Sequence, residues 1–202
     1  IAAQLKMGRE KIVESFPDVT VLFADVVDFT RWASNRQPYE VLDVLTSVFT
    51  TFDNLAAKFG VEKIKTIGDT FMCAGGIPDK NITNPIDVVQ AGLEIQDFMQ
   101  NLKQIKQTEN KPFFELRVGI NTGPLVAGIV GIKKFQYDIW GDTVNIASRM
   151  ESSGEVGKVN ISQMTYERVK HQFNCVYRGK IEAKNKGAID MYFVQGHRTE
   201  EN

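Results

Sequence analysis

The sequence predicts an α+β fold, and three observations carry that prediction. β-Branched and apolar runs of strand length alternate with longer segments in which apolar residues recur at helical spacing. The resulting order is β-α-β-β-α-β, followed by additional C-terminal α/β elements. The chain has 202 residues, 43% of them hydrophobic, which suffices for one domain with a real core.

The first elements are a helix and a buried strand. Residues 1–15 place apolar side chains among Lys, Arg and Glu, a pattern that predicts a short amphipathic helix ending at 16–18. Residues 19–24 form a β-branched, apolar run typical of a buried strand. Asp25 follows at once, so a carboxylate stands at the exit of this strand. Because the chain begins inside the predicted helix, we expect it to be a piece of a longer protein.

A long helix and a tight hairpin come next. Pro38 opens a helical pattern that stops at Gly60. Residues 62–67 and 70–74 are two β-rich arms around Gly68-Asp69. Glycine followed by a polar residue is the signature of a two-residue type II′ turn. Asp69 is therefore predicted at the tip of a hairpin.

The remaining pattern supplies a second long helix and several shorter elements. We predict a helix at 85–105, strands at 113–120 and 125–132 around a turn at 121–124, a helix from 142 to about 150, a strand at 159–162, a short helix at 163–170, and strands at 173–181 and 191–194. The βαββαβ order is that of a ferredoxin-like core, a sheet with two helices on one face. Residues 197–202 are polar and predicted to be a tail.

Composition excludes several classes of protein. Lys and Arg number 24 against 25 Asp and Glu, a net charge of −1, which argues against a basic nucleic-acid coat, so we expect no nucleic-acid partner. Cys73 and Cys175 are too few for a disulfide framework and are expected as reduced thiols. No apolar run approaches the ~20 residues of a membrane span, and no signal peptide is evident.

Two carboxylates form the main candidate site. In a βαββαβ sheet the end of the first strand lies beside the tip of the central hairpin, so Asp25 and Asp69 should converge. Two close carboxylates repel unless a cation lies between them, and an oxygen-only site favours Mg²⁺ or Mn²⁺ over zinc. The alternative is that each Asp only completes a turn, since Asp is a common turn residue.

Four motifs carry a resemblance that covers about residues 18–195. They are FADVVDFT at 23–30, KIKTIGD at 63–69, RVGINTG at 117–123 and YDIWGDTVNIASRM at 137–150. Together, in this order and spacing, they closely resemble class III nucleotidyl cyclases, whose core is palm-like. The resemblance implies a catalytic domain at 18–196, with 1–17 as the end of a linker helix that couples the domain to an N-terminal sensor or regulatory domain.

The resemblance also implies roles at the metal and phosphate end of the site. Asp25, Asp69 and the carbonyl of Val26 match ligands of two Mg²⁺ or Mn²⁺ ions. The turn from Val26 would bring backbone N–H groups to the triphosphate, as helix starts do for anions. The other matching substrate-binding positions are Phe29, Thr30, Arg117 and Lys184. Asp28 departs from the family, which often has Gly there.

The base and transition-state residues are implied in the same way. Lys65 and Asp138 match the pair that reads the base in adenylyl cyclases, and Trp140 lies nearby in the motif as a further substrate-binding position. Asn145 and Arg149, four residues apart and so on one helix face, match the transition-state pair. Arg149 would stabilise charge that develops on the α-phosphate.

The function implied is an adenylyl cyclase that converts ATP to 3′,5′-cyclic AMP and pyrophosphate as a homodimer with active sites at the interface. A guanylyl cyclase is the near alternative, although that branch resembles Glu and Cys where this chain has Lys65 and Asp138. An inactive nucleotide-binding or dimerisation module is another. A diguanylate cyclase would carry a different hairpin motif. We expect a cytoplasmic catalytic domain, and the sequence leaves membrane anchoring of the parent protein open.

Overall fold

The computed structural model describes residues 11–131, 134–183 and 186–199, and within them a mixed sheet with five helices. The strands are β1 (Lys11–Val26), β2 (Glu62–Ile67), β3 (Thr70–Gly75), β4 (Leu116–Val130), β5 (Gln136–Trp140), β6 (Val159–Ser162), β7 (Phe173–Ala183) and β8 (Gly187–His197). The helices are α1 (Phe29–Ala33), α2 (Pro38–Lys58), α3 (Asn84–Thr108), α4 (Asp142–Ser152) and α5 (Gln163–Val169).

The sheet has eight strands in the order β2-β3-β1-β4-β6-β8-β7, and β5 pairs with β4. Its first four strands, with α2 and α3 as the two crossovers, are the βαββαβ core expected from the sequence. The additional C-terminal elements extend the same sheet through a parallel pairing of β6 with β4. The predicted fold class is therefore confirmed.

Helices α2 and α3 pack on one face of the sheet, and α4 packs on the other. Alternate β1 residues, Leu22, Ala24 and Val26, lie in a buried cluster with α2 and α3 side chains. The residues between them, such as Val21 and Phe23, face the opposite cluster, which includes α4. Because successive strand residues point to opposite faces, Asp25 lies on the α4 side of the sheet.

The helix predicted at residues 1–15 is wrong for residues 11–15, which the structure describes. Residues 11–15 are strand and pair with β4, while residues 1–10 lie outside the described part of the chain. Lys11 to Phe16 pair with Val130 to Leu125, and the register then shifts before Val19. Pro17 cannot donate a ladder hydrogen bond, so the strand absorbs Pro17-Asp18 as an irregularity instead of ending there. Strand β1 thus runs through the boundary predicted between 17 and 18.

The turn predicted at 121–124 is also absent, because β4 is one continuous strand in which both predicted arms pair with β1. Two of its side chains, Asn121 and Thr122, are buried and bonded: the Asn121 amide donates to the carbonyl of Thr143 at 3.0 Å, and the hydroxyls of Thr122 and Thr20 lie 2.9 Å apart. Pattern alone also missed β5 and α1.

Candidate active site

A row of three side chains crosses the sheet at the end of β1. Asp25 has Thr70 of β3 as its register partner on one side and Arg117 of β4 on the other. The Thr70 hydroxyl donates to one carboxylate oxygen of Asp25 at 2.5 Å. A guanidinium nitrogen of Arg117 lies 3.6 Å from the other oxygen. The carboxylate is therefore held in place by its two neighbouring strands.

Asp69 approaches this row from the hairpin tip. Ile67 pairs with Thr70, so the loop has two residues, and Gly68 has a φ of 60° while Asp69 stays out of the left-handed region. The carbonyl of Asp69 accepts a hydrogen bond from the Val26 N–H at 3.3 Å. Burial raises the pKa of the Asp69 carboxyl, a hydrogen bond from its own backbone N–H lowers it by a smaller amount, and the negative charge of Asp25 raises it by the smallest amount. The hairpin tip thus lies against the end of β1, next to the strand end that carries Asp25.

The donors at this point fit a hard divalent cation that a substrate helps to bind. Two carboxylates and the nearby Val26 backbone are oxygen donors only, and their mutual repulsion favours a cation. Within the described residues, no group of three or more His, Cys, Asp or Glu side chains could hold a metal. Mg²⁺ usually binds one or two carboxylates and completes its octahedron with substrate phosphates and water. Asp25 and Asp69 suit that mode and do not form a closed protein cage.

The loop after β1 turns sharply at Asp28. Asp28 has a φ of 54° and a ψ of 33°, a left-handed conformation at the N-cap of α1, which is uncommon for a residue other than Gly. Its side chain makes no cap hydrogen bond and is exposed. Phe29 stacks on Trp32 with ring centroids 6.1 Å apart, and Thr30 is exposed. The position where the family often has Gly thus has a backbone that Gly adopts more easily.

Glu151 is a charged residue of the site that sequence reasoning missed. Its carboxylate is 3.0 Å from Nε of Arg117, and the residue is 7% exposed. Burial and the charge of Asp25 raise the pKa of the Glu151 carboxyl, while Arg117 lowers it. A signal existed in the sequence: Glu151 lies four residues after buried Ala147, so a charged residue occupies the apolar face of α4.

Lys65 and Asp138 meet although they come from β2 and β5. The ammonium nitrogen of Lys65 lies 2.7 Å from Oδ2 of Asp138, with the two side chains 29% and 16% exposed. The other carboxylate oxygen accepts the Ile139 N–H at 2.9 Å. A fixed donor and a fixed acceptor thus stand side by side in a partly desolvated place.

Asn145 and Arg149 are exposed along α4 and face a separate cavity of about 390 Å³. One guanidinium nitrogen of Arg149 donates to the carbonyl of Glu182 at 2.6 Å. The described residues lining this cavity do not include Asp25 or Asp69. Trp140, 41% exposed, ends the strand just before α4.

The comparisons with known proteins agree on the family. The family model described as "Adenylate and Guanylate cyclase catalytic domain" matches residues 12–196. The chain belongs to this family. The chain therefore contains a class III cyclase catalytic domain, as its motifs indicated.

Similar proteins of both substrate types exist. An adenylate cyclase of Mycobacterium tuberculosis is 39% identical over 98% of this chain and 44% of its own length. A receptor-type guanylate cyclase of Caenorhabditis elegans is 37% identical over 97% of this chain and 18% of its own length. The chain thus spans less than half the length of these relatives. Because these relatives are of both types, their names do not identify the nucleotide substrate of this cyclase domain.

The similar solved structures also include both adenylyl and guanylyl cyclases. The adenylyl cyclase CyaB of P. aeruginosa superposes with a TM-score of 0.85 at 29% identity, over 95% of this chain and all of that one. The guanylate cyclase domain of a Catenaria anguillulae protein, solved with GTP, superposes with a TM-score of 0.83 at 30% identity, over 92% of this chain and all of that one. In the described part of this chain, no helix is long and apolar enough to cross a membrane.

The structure brings the implied site residues into three groups and leaves Lys184 undescribed. Asp25, Asp69, Val26 and Arg117 share the end of β1, and Asn145 and Arg149 share α4. Lys65 and Asp138 form a pair of their own. Lys184 lies outside the described residues, so its match to a phosphate-binding residue stays a prediction.

Proposed function

We propose that this cyclase domain converts ATP to 3′,5′-cyclic AMP and pyrophosphate at sites shared between two copies of the chain. The observation that carries the substrate choice is the contact between Lys65 and Asp138. Both side chains are partly buried and bonded to each other, so their positions are fixed before a nucleotide arrives. Pre-organised polar groups of this kind discriminate strongly between substrates, because the wrong partner leaves them unpaired.

The polarity of the pair suits adenine. The Lys65 ammonium is a donor that can face adenine N1, and the Asp138 carboxylate is an acceptor that can face the exocyclic amine. Guanine presents an N1–H donor and an O6 acceptor at these places, which would set donor against donor and acceptor against acceptor. A buried mismatch of this type costs about 1–3 kcal/mol for each unpaired group.

The reaction is an in-line displacement at the α-phosphorus. The ribose O3′ forms the new bond to phosphorus as its O–H bond breaks and the proton passes to solvent or to the leaving pyrophosphate. The bond from phosphorus to the bridging oxygen breaks, and pyrophosphate leaves. Bound Mg²⁺ or Mn²⁺ would supply Lewis-acid stabilisation of the attacking and leaving oxygens. Asp25, Asp69 and the Val26 carbonyl would hold the ions, and Arg117 would hold the terminal phosphates.

The transition-state groups would act from the other chain. Asn145 would orient the ribose, and Arg149 would stabilise negative charge on the α-phosphoryl oxygens. Neither Asp25 nor Asp69 lines the cavity that Asn145 and Arg149 face, which supports a site completed by a second copy. We call Asp25, Asp69 and Arg117 the metal half of a site, and Lys65, Asp138, Asn145 and Arg149 the transition-state half. A head-to-tail homodimer joins each metal half to the partner's transition-state half, so it holds two complete sites.

Complementation tests this arrangement. Asp25→Asn and Arg149→Ala are each expected to be inactive, and their mixture should recover activity. In a mixed dimer one site collects both lesions, while the other has Asp25 from one chain and Arg149 from its partner. With random exchange, half the dimers are mixed and each has one of two sites, so about a quarter of wild-type activity should return.

A matched control uses two lesions of the same half. Asp25→Asn mixed with Asp69→Asn should stay inactive, because every dimer then has a lesion in both metal halves. Recovery in this control, or no recovery with Arg149→Ala when mixed dimers are shown by native mass spectrometry, would contradict the shared site.

A further inference from the structure

Glu151 makes a buried ion pair whose place in the fold is unusual. It lies on the last turn of α4, the helix that carries Asn145 and Arg149, yet its carboxylate bonds Arg117 of the metal half. The Glu151 residue is 7% exposed, and charges are rarely buried to this extent unless they are paired. One helix thus presents residues to two different groups of the site.

The approach of α4 to β4 makes this contact possible. A Cβ built on Gly119, two residues after Arg117 on β4, would lie 1.9 Å from the backbone nitrogen of Glu151. Only a residue without a side chain permits the end of the helix to lie so close to the strand. Glu151 is thereby brought to Nε of Arg117, while Asp25 lies nearest to Nη2 of the same guanidinium.

Arg117 has two carboxylate neighbours, and one lies closer to its guanidinium than the other. Nε lies 3.0 Å from Glu151, while Nη2 lies 3.6 Å from Asp25. Glu151 therefore holds the stronger of the two contacts and limits how far the guanidinium can move onto Asp25. Without Glu151, Arg117 would have Asp25 as its nearest anion and would compete there with a divalent cation.

The geometry points to Glu151 as a positioning residue for the metal half of its own chain. It holds Arg117 beside Asp25 in an orientation that leaves this carboxylate free for a cation and the guanidinium directed toward a triphosphate. This inference rests on the proposed function for the division into halves. It assigns one α4 helix to both sites of a dimer, with Glu151 serving its own chain and Arg149 serving the partner.

Metal binding tests the positioning role without turnover. Mn²⁺ binding to the nucleotide-free dimer can be measured by electron paramagnetic resonance for wild type, Glu151→Ala and Glu151→Gln. Loss of an outer partner of this kind typically weakens metal affinity 10–100-fold, so Glu151→Ala should bind Mn²⁺ at least about tenfold more weakly. Glu151→Gln keeps an oxygen acceptor for Arg117 and should bind with intermediate affinity.

The two variants also separate positioning from general stability. If Glu151→Ala fails to fold, as judged by circular dichroism, Glu151→Gln still carries the measurement because it preserves shape and the acceptor oxygen. Wild-type Mn²⁺ affinity in folded Glu151→Ala, or in Glu151→Gln where Glu151→Ala does not fold, would overturn the inference. An equal affinity loss in Gln and Ala would contradict positioning through the hydrogen bond.

Mixed dimers test which site Glu151 serves. In the mixture of Asp25→Asn with Arg149→Ala, the working site takes its metal half from the Arg149→Ala chain. Glu151→Ala added to that chain should lower the recovered activity about tenfold or more. The same change added to the Asp25→Asn chain falls in the dead metal half and should leave the recovered activity unchanged.

Other outcomes are distinguishable. Equal losses from both placements, or loss only on the Asp25→Asn chain, would show that Glu151 acts through α4 as a whole and would overturn its assignment to the metal half. If the mixture without the Glu151 change is inactive, the shared-site proposal fails, while the Mn²⁺ measurement still decides whether Glu151 positions Arg117.

Discussion

Gly119→Ala should damage the cyclase domain at one well-defined contact, that between β4 and α4. The added Cβ would lie 1.9 Å from the Glu151 nitrogen, and 2.4 Å from both the Glu151 Cα and the Met150 carbonyl carbon. Non-bonded heavy atoms are at their optimum near 3.5–4.0 Å. All three neighbours are backbone, so no side chain can turn aside. The end of the helix must therefore withdraw by more than about 1 Å.

The withdrawal has two consequences of known scale. Overpacking of a well-packed interior costs about 1–3 kcal/mol of unfolding free energy. A misplacement of about 1 Å at a catalytic group can cost about 100-fold in rate, and α4 carries Asn145, Arg149 and Glu151. We expect Gly119→Ala to lower the free energy of unfolding by about 1–3 kcal/mol. We also expect it to lower turnover about 100-fold. Denaturant unfolding and a cyclisation assay on the same preparation measure both.

Gly92→Ala is the matched control on the opposite side of the sheet. Its Cβ would meet the side-chain ends of Leu22 and Ile120 at 3.2 and 3.3 Å, which can shift by a few tenths of an ångström. Gly92 lies inside α3, where Ala is better than Gly by up to about 1 kcal/mol. We expect near-normal turnover and stability in the control. Wild-type stability and turnover in Gly119→Ala would refute the close packing of α4 on β4.

Three further predictions concern the metals, the base and the thiols. Asp25→Asn should abolish cyclisation while the unfolding temperature stays the same or rises slightly, because a carboxylate repulsion is relieved; near-normal turnover in Mg²⁺ would rule out a metal role for Asp25. Lys65→Glu combined with Asp138→Cys should lower ATP turnover and raise the share of GTP used, and an unchanged preference in product chromatography would show that other groups read the base. Burial raises the pKa of Cys175 to about 11 and also raises that of Cys73, so at pH 8 the Cys175 thiolate is only about one part in a thousand by its pKa. Both thiols should alkylate slowly with iodoacetamide, and rapid labelling of Cys73 in mass spectra of the native protein would contradict its burial.

Local pattern predicted the parts of the fold that local physics controls. The hairpin around Gly68-Asp69 needed only its two arms and its turn residues. The long helix from Pro38 needed only periodicity and an N-terminal proline. Convergence of Asp25 with Asp69 followed from the βαββαβ order, because that topology places a strand end beside a hairpin tip.

Long-range contacts account for what the pattern missed. The Asn121–Pro124 segment has turn composition, but the pairing of both its sides with β1 and the burial of Asn121 keep it in the strand. Residues 11–15 have apolar residues that suit a helix or a strand, and β4 supplies the partner that selects the strand. The contact between Lys65 and Asp138 joins positions far apart in sequence, so it was accessible only through resemblance to the family.

Turnover of ATP and of GTP by the purified domain, with Mg²⁺ or Mn²⁺, measures whether the domain cyclises ATP. Products resolved by chromatography should be 3′,5′-cyclic AMP and pyrophosphate, with a higher kcat/KM for ATP than for GTP. Preferential formation of cyclic GMP would assign the domain to the guanylyl branch despite Lys65 and Asp138. No cyclic product from either nucleotide, in a protein shown to be dimeric and to bind Mn²⁺, would contradict the catalytic account and favour a nucleotide-binding module.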